Sequence, residues 1–99
     1  MPTQTQEILC PAMDLLARAS IIEINGYLLH SWQLDAMNGE DDEVVFECSY
    51  TDDEGYIFEF AFTEKAMKEA SIKGHFLQMM DNEGQLVDIG LYSLKPLDN

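Results

Sequence analysis

Ninety-nine residues are enough for one domain and too few for two, and a 46% apolar share can fill one core without metal or disulfide support. Nineteen acids against five bases leave a net charge of −14. That balance argues against direct contact with nucleic-acid phosphates or anionic membranes, which would repel the chain, and leaves basic proteins, cations or neutral molecules as partners.

Residues 1–7 are polar and are read as loose. Ile8, Leu9, Ala12, Leu15, Leu16 and Ala19 then recur with the spacing of one helix face. Proline is tolerated in the first turn, where its missing N–H would have no partner, so a helix from Pro11 to Ala19 is predicted, with its stripe on a sheet. Asn25-Gly26 between Ile21–Ile24 and Tyr27–Leu29 is a hairpin signal that sets Ile24 opposite Tyr27. The second strand runs to about Leu34 and is followed by an exposed acidic loop from Asp35 to Asp42.

Between Glu43 and Thr63 the alternation is clear. Val44, Phe46, Cys48 and Tyr50, and then Tyr56, Phe58, Phe60 and Phe62, share one side. A three-residue loop Asp53-Glu54-Gly55 pairs Tyr50 with Phe58, Cys48 with Phe60 and Phe46 with Phe62. In that register Glu47 and Glu59 lie diagonally on the other side rather than opposed. Thr63 is placed to cap a short helix from Glu64 to Ala70. A last hairpin, Ile72–Met80 with Gln85–Leu94, closes through Asn82-Glu83-Gly84, and its inner side carries His75, Leu77, Met79, Val87, Ile89 and Leu91. Pro96 ends the strand, and residues 97–99 are read as frayed.

The expected fold is therefore α+β: an N-terminal helix packed on a curved, mostly antiparallel sheet of about six strands in three hairpins, with a short second helix between strands 4 and 5. Residues 1–99 form one domain in this reading. Met1 to Gln6 lacks the basic start and apolar run of a signal peptide, which points to a cytoplasmic protein.

Most chemistries find no motif. Cys10 and Cys48 form no C-x-x-C pair and are read as free thiols. His30, His75 and Cys48 are acceptable metal ligands in type but lack ligand spacing, and His75 is better explained as a core or edge histidine. Glu40-Asp41-Asp42-Glu43 and Asp52-Asp53-Glu54-Gly55 are contiguous runs without the alternation of a calcium loop. There is no nucleophile elbow and no glycine-rich phosphate loop, so a non-enzymatic protein without a cofactor is expected.

The charge map is the informative feature. Residues 1–63 hold thirteen acids against Arg18 alone, net −12, whereas residues 64–99 hold six acids against four lysines, net −2. The candidate interaction surface is Glu40, Asp41, Asp42, Glu43, Glu47, Asp52, Asp53, Glu54 and Glu59, suited to docking on a basic protein surface. One alternative is a mimic of nucleic-acid charge that inhibits a nucleic-acid-binding protein. Another is a small-ligand carrier or minor enzyme using the concave aromatic side of the sheet. Trp32 shares a face with Leu28 and Leu34 while Tyr27 and Leu29 face the other way, so both faces of the first hairpin are apolar, and a homodimer is one way to cover the second.

Overall fold

The computed structural model describes residues 10–96. The readings of residues 1–7 as loose and 97–99 as frayed lie outside the described residues, as do Ile8 and Leu9. Helix α1 (Pro11–Arg18) starts at its proline and buries Ala12, Met13 and Leu16, three positions on one side of a 3.6-residue turn. Ala19 caps the helix in an extended conformation, and its N–H donates to the Leu15 carbonyl. The chain therefore passes from helix to strand without a loop.

The strands are β1 (Ala19–Ile24), β2 (Tyr27–Leu28), β3 (Ser31–Leu34), β4 (Val44–Thr51), β5 (Ile57–Thr63), β6 (Ser71–Lys73), β7 (Phe76–Met80) and β8 (Leu86–Leu94), with helix α2 (Glu64–Lys68) between β5 and β6. The α+β class and the antiparallel pairing match the expectation. The strands are distributed over two sheets, one of five strands in the order β2-β1-β8-β7-β6 and one of three in the order β3-β4-β5. Asn25 and Gly26 take φ of 57° and 85°, the left-handed pair a two-residue hairpin needs, and Ile24 faces Tyr27.

Two strands that look continuous in sequence are divided. Tyr27–Leu28 pairs in the first sheet and Ser31–Leu34 in the second, with Leu29 and His30 carrying the chain across. Leu29 is buried, and its N–H donates to the Ile22 carbonyl. The segment Ile72–Met80 folds back on itself at Gly74, whose φ of +61° favours a residue without a Cβ. His75 consequently sits in that turn, exposed, its ring tilted against those of Phe76 and Tyr92 with centroids 4.4 and 5.0 Å away. It does not join Leu77 and Met79 on the inner side, which corrects the sequence reading.

One core receives the inner positions of both sheets and the helices. From the first sheet come Ile22, Ile24, Leu77, Met79, Ile89 and Leu91; from the second come Phe46, Cys48, Tyr50 and Phe62. The expected β4–β5 register is present: Phe46 faces Phe62, Cys48 faces Phe60 and Tyr50 faces Phe58. The aromatic side is graded along its length. Phe46 and Phe62 are fully enclosed, Phe60 is half-buried, and Phe58 and Tyr56 are exposed. Thr63 caps α2 as expected, its hydroxyl accepting from the Ala66 N–H, and the helix ends at Lys68, short of Ala70.

Candidate functional site

Alternation along β3, β4 and β5 puts Ser31, Gln33, Glu47, Ser49 and Glu59 on the side of the three-stranded sheet that faces away from the core. Ser31 pairs with Ser49, Gln33 with Glu47 and Ser49 with Glu59, so the five side chains form one polar field across the sheet. Glu47 is opposite Ala61, which leaves Glu47 and Glu59 diagonal, with Cβ atoms about 7 Å apart by strand geometry. Two carboxylates at that spacing on a flat surface can receive one guanidinium or ammonium group between them.

The β7–β8 turn adds a wall. The Asn82 N–H donates to the Ala61 carbonyl at 2.9 Å, which fastens this turn to the free edge of β5 and brings Glu83 beside Glu59. Asp81 holds the turn in shape: it is buried, and its Oδ1 accepts from the N–H groups of Glu83 and Gln85 at 2.9 and 2.8 Å. The result is a shallow groove of about 500 Å³ lined by Ser31, Gln33, Glu47, Ser49, Glu59 and Glu83, with no lysine, arginine or histidine in its lining among the described residues.

The other sequence-predicted acids do not converge on this groove. Glu40, Asp41, Asp42 and Glu43 precede β4, whereas Asp52, Asp53 and Glu54 follow it, and eight residues of strand separate the two groups by about 25 Å. Several are engaged locally. Asp41 is bound by the Lys68 ammonium at 2.8 Å, and that hydrogen bond and charge hold its carboxyl below the ordinary carboxylate range. Glu43 accepts from Asn38 Nδ2 at 3.1 Å. Asp52 closes its own turn, Oδ1 accepting from the N–H groups of Glu54 and Tyr56 at 2.9 Å each. Glu40, Asp42, Asp53 and Glu54 are exposed in the flanking loops.

Gln33 and Glu83 were absent from the sequence-derived surface. Gln33 could have been found by extending the β4 alternation to its neighbour. Glu83 could not, because nothing in the hairpin tip signals which edge it docks on. Glu64 was also missed. It has no exposed surface, and its carboxylate accepts from the N–H groups of Asn38 and Gly39 at 2.6 and 3.1 Å, tying the acidic loop to α2.

The candidate metal ligands are dispersed: among the described residues no three His, Cys, Asp or Glu side chains are grouped to hold an ion. His30 Nε2 lies 3.0 Å from Thr51 Oγ1. Burial pushes the Cys48 thiol up to about 12, far from the range in which a thiolate forms at neutral pH. Cys48 is therefore expected to resist iodoacetamide in the native state and to react only after unfolding, which mass spectrometry of alkylated tryptic peptides would read directly. Modification of the folded protein at Cys48 on the timescale of an exposed thiol would contradict its enclosure.

No family model matches the chain, and neither a curated relative nor a solved structure matches it.

Proposed function

We propose that the protein is a non-enzymatic binding protein whose three-stranded sheet presents its outer face to a basic surface of another protein. The observation that carries this reading is the groove itself. Glu47, Glu59 and Glu83 come from three separate segments to one concave surface, and among the described residues no cation lies in its lining. Lys or Arg side chains of a partner supply the missing charge, while Ser31, Gln33 and Ser49 add neutral hydrogen-bonding groups around the carboxylates. Steering by a chain of net charge −14 raises the encounter rate with such a partner, and salt suppresses it.

The test separates the groove from bulk acidity. An arginine-rich peptide labelled for fluorescence anisotropy is titrated with the wild type, with Glu47→Lys/Glu59→Lys and with Asp53→Lys/Glu54→Lys. Both double variants change the net charge by the same amount. Loss of the groove carboxylates is expected to weaken binding by roughly a hundredfold, about 3 kcal/mol, whereas reversal at the turn tip weakens it several-fold through the long-range field alone. Equal losses in the two variants would show that charge alone, and no site, governs binding.

A second reading has support in a neighbouring groove of about 400 Å³ on the aromatic side, where Tyr50, Phe58 and Phe60 meet Gln85, Leu86 and Val87. A small flat ligand held there would raise the thermal midpoint of the wild type and leave that of Phe58→Ala unchanged.

A further inference from the structure

The inner face of the five-stranded sheet lies in the core, so its outer face turns away from it. Strand register assigns Ile21, Leu28, Phe76, Met80, Leu86 and Tyr92 to that outer face. Five of these are between 40% and 63% exposed, the outlying values being Ile21 and Leu28, and Tyr92 is partly covered. An antiparallel sheet with one face in water ordinarily alternates to polar residues there. Here half-open aliphatic and aromatic side chains occupy all four of the strands β2, β1, β8 and β7.

We infer that a second copy of the chain packs on this face, sheet against sheet, about a two-fold axis running along β8. Charge favours that occupant. Of the acids on the face, Glu23 accepts from the Tyr92 hydroxyl at 2.8 Å and Asp88 from Gln78 Nε2 at 2.9 Å, so both are hydrogen-bonded within the sheet. With Lys73 on β6 the face carries a formal charge of only −1 among the described residues, against −14 for the full sequence. It is thus the surface on which two copies meet with little repulsion, while the acidic groove looks out from the other sheet.

The face is also complementary to itself. The strand order β2-β1-β8-β7-β6 has β8 at its centre, Glu23 and Leu28 on one flank, and Phe76 and Lys73 on the other. Rotation about β8 lays each β6 over the β2 of the second copy and each β7 over its β1; in the row Lys73, Phe76, Gly90, Glu23, Leu28 this sets Lys73 over Leu28, one strand away from Glu23 and within reach of its carboxylate, and Phe76 over Glu23 beside Leu28. Strands of 6, 2, 9, 5 and 3 residues, at about 3.3 Å per residue and about 4.8 Å between strands, cover on the order of 400 Å² per copy. The pair covers about 800 Å² in total, small beside a standard interface, which fits a weak dimer with a dissociation constant of roughly ten micromolar.

Sedimentation equilibrium of the full chain tests this. A dimer is expected at tens of micromolar, and Phe76→Glu should weaken it by roughly a hundredfold because each interface then loses two aromatic side chains and sets two added carboxylates against Glu23 of the other copy. Leu86→Glu, at the far end of the face, gives a second reading should the first variant fold poorly. Raising salt should tighten the dimer by screening the repulsion between the two copies, the opposite of its effect on the acidic groove, and Glu47→Lys/Glu59→Lys should leave it intact. A wild-type chain that stays monomeric at these concentrations, or a dimer indifferent to both face variants, overturns the inference, and neither result bears on the groove.

Discussion

Replacing Phe62 by alanine is expected to cost about 3–5 kcal/mol, a large part of the 5–15 kcal/mol available to a domain of this size, and to leave the protein partly unfolded at 37 °C. Phe62 has no exposed surface and its ring lies 5.8 Å from that of Phe46, which is equally enclosed. The two form a cross-strand pair on β4 and β5, so the truncation removes both a buried ring and the partner against which Phe46 is packed. Phe46→Ala should cost a similar amount. The double variant should cost less than the two single losses together, by about 0.5–1.5 kcal/mol, the coupling of a well-placed aromatic pair. Urea unfolding of the four proteins measures all these quantities, and strict additivity would mean that the rings contribute only by filling volume.

Loss of the Glu64 carboxylate is the second large effect. Glu64→Ala is expected to destabilise the fold by about 2–3 kcal/mol, because two backbone N–H groups lose a charged acceptor and a cavity opens at the start of α2. Glu64→Gln keeps the shape but offers one acceptor oxygen where the wild type offers two, and turns an NH₂ group toward the second donor. It should recover less than half of the loss. The effect is also local. The backbone N–H groups of Asn38 and Gly39 both donate to this side chain, so these amide hydrogens should exchange much faster in either variant, ahead of those in β4 and β5. Unchanged exchange at Asn38 and Gly39 would mean that the loop is fixed by the backbone bonds from Glu64 and Lys65 to the carbonyls of Glu43 and Asp41.

How much of this was legible in the sequence follows from the range of the interactions involved. The β4–β5 pairing was readable because alternation and a glycine turn fix a hairpin within some twenty residues, and the Thr63 cap because it acts over three. The division into two sheets was not. Tyr27 to Leu34 is an unbroken run with no glycine or proline, and only the distant partners of its two halves decide where it separates. The fold-back at Gly74 had a local signal, a glycine within an apolar segment, which alternation on both sides obscured.

The candidate surface divides in the same way. Glu47 and Glu59 could be assigned to one face by counting along a strand. The runs at either end of β4 could not be distinguished by composition, because an aspartate that closes its own turn, such as Asp52, reads in sequence like one free to meet a partner. Glu64 was hidden for the converse reason. A glutamate after a threonine cap has the signature of a solvated first turn, and only the approach of the Asn38-Gly39 backbone gives it a reason to be enclosed.

The position of β8 bears on how the chain is made. It fills the middle of the five-stranded sheet yet follows every one of its neighbours in sequence, and Glu23 lies 69 residues before the Tyr92 hydroxyl that it binds. A nascent polypeptide emerging from the ribosome can close β3, β4 and β5 early, while β1 waits with Ile22 and Ile24 uncovered until the final strand arrives. For that interval the half-made protein offers a sticky edge to chaperones and to its neighbours on the same polysome.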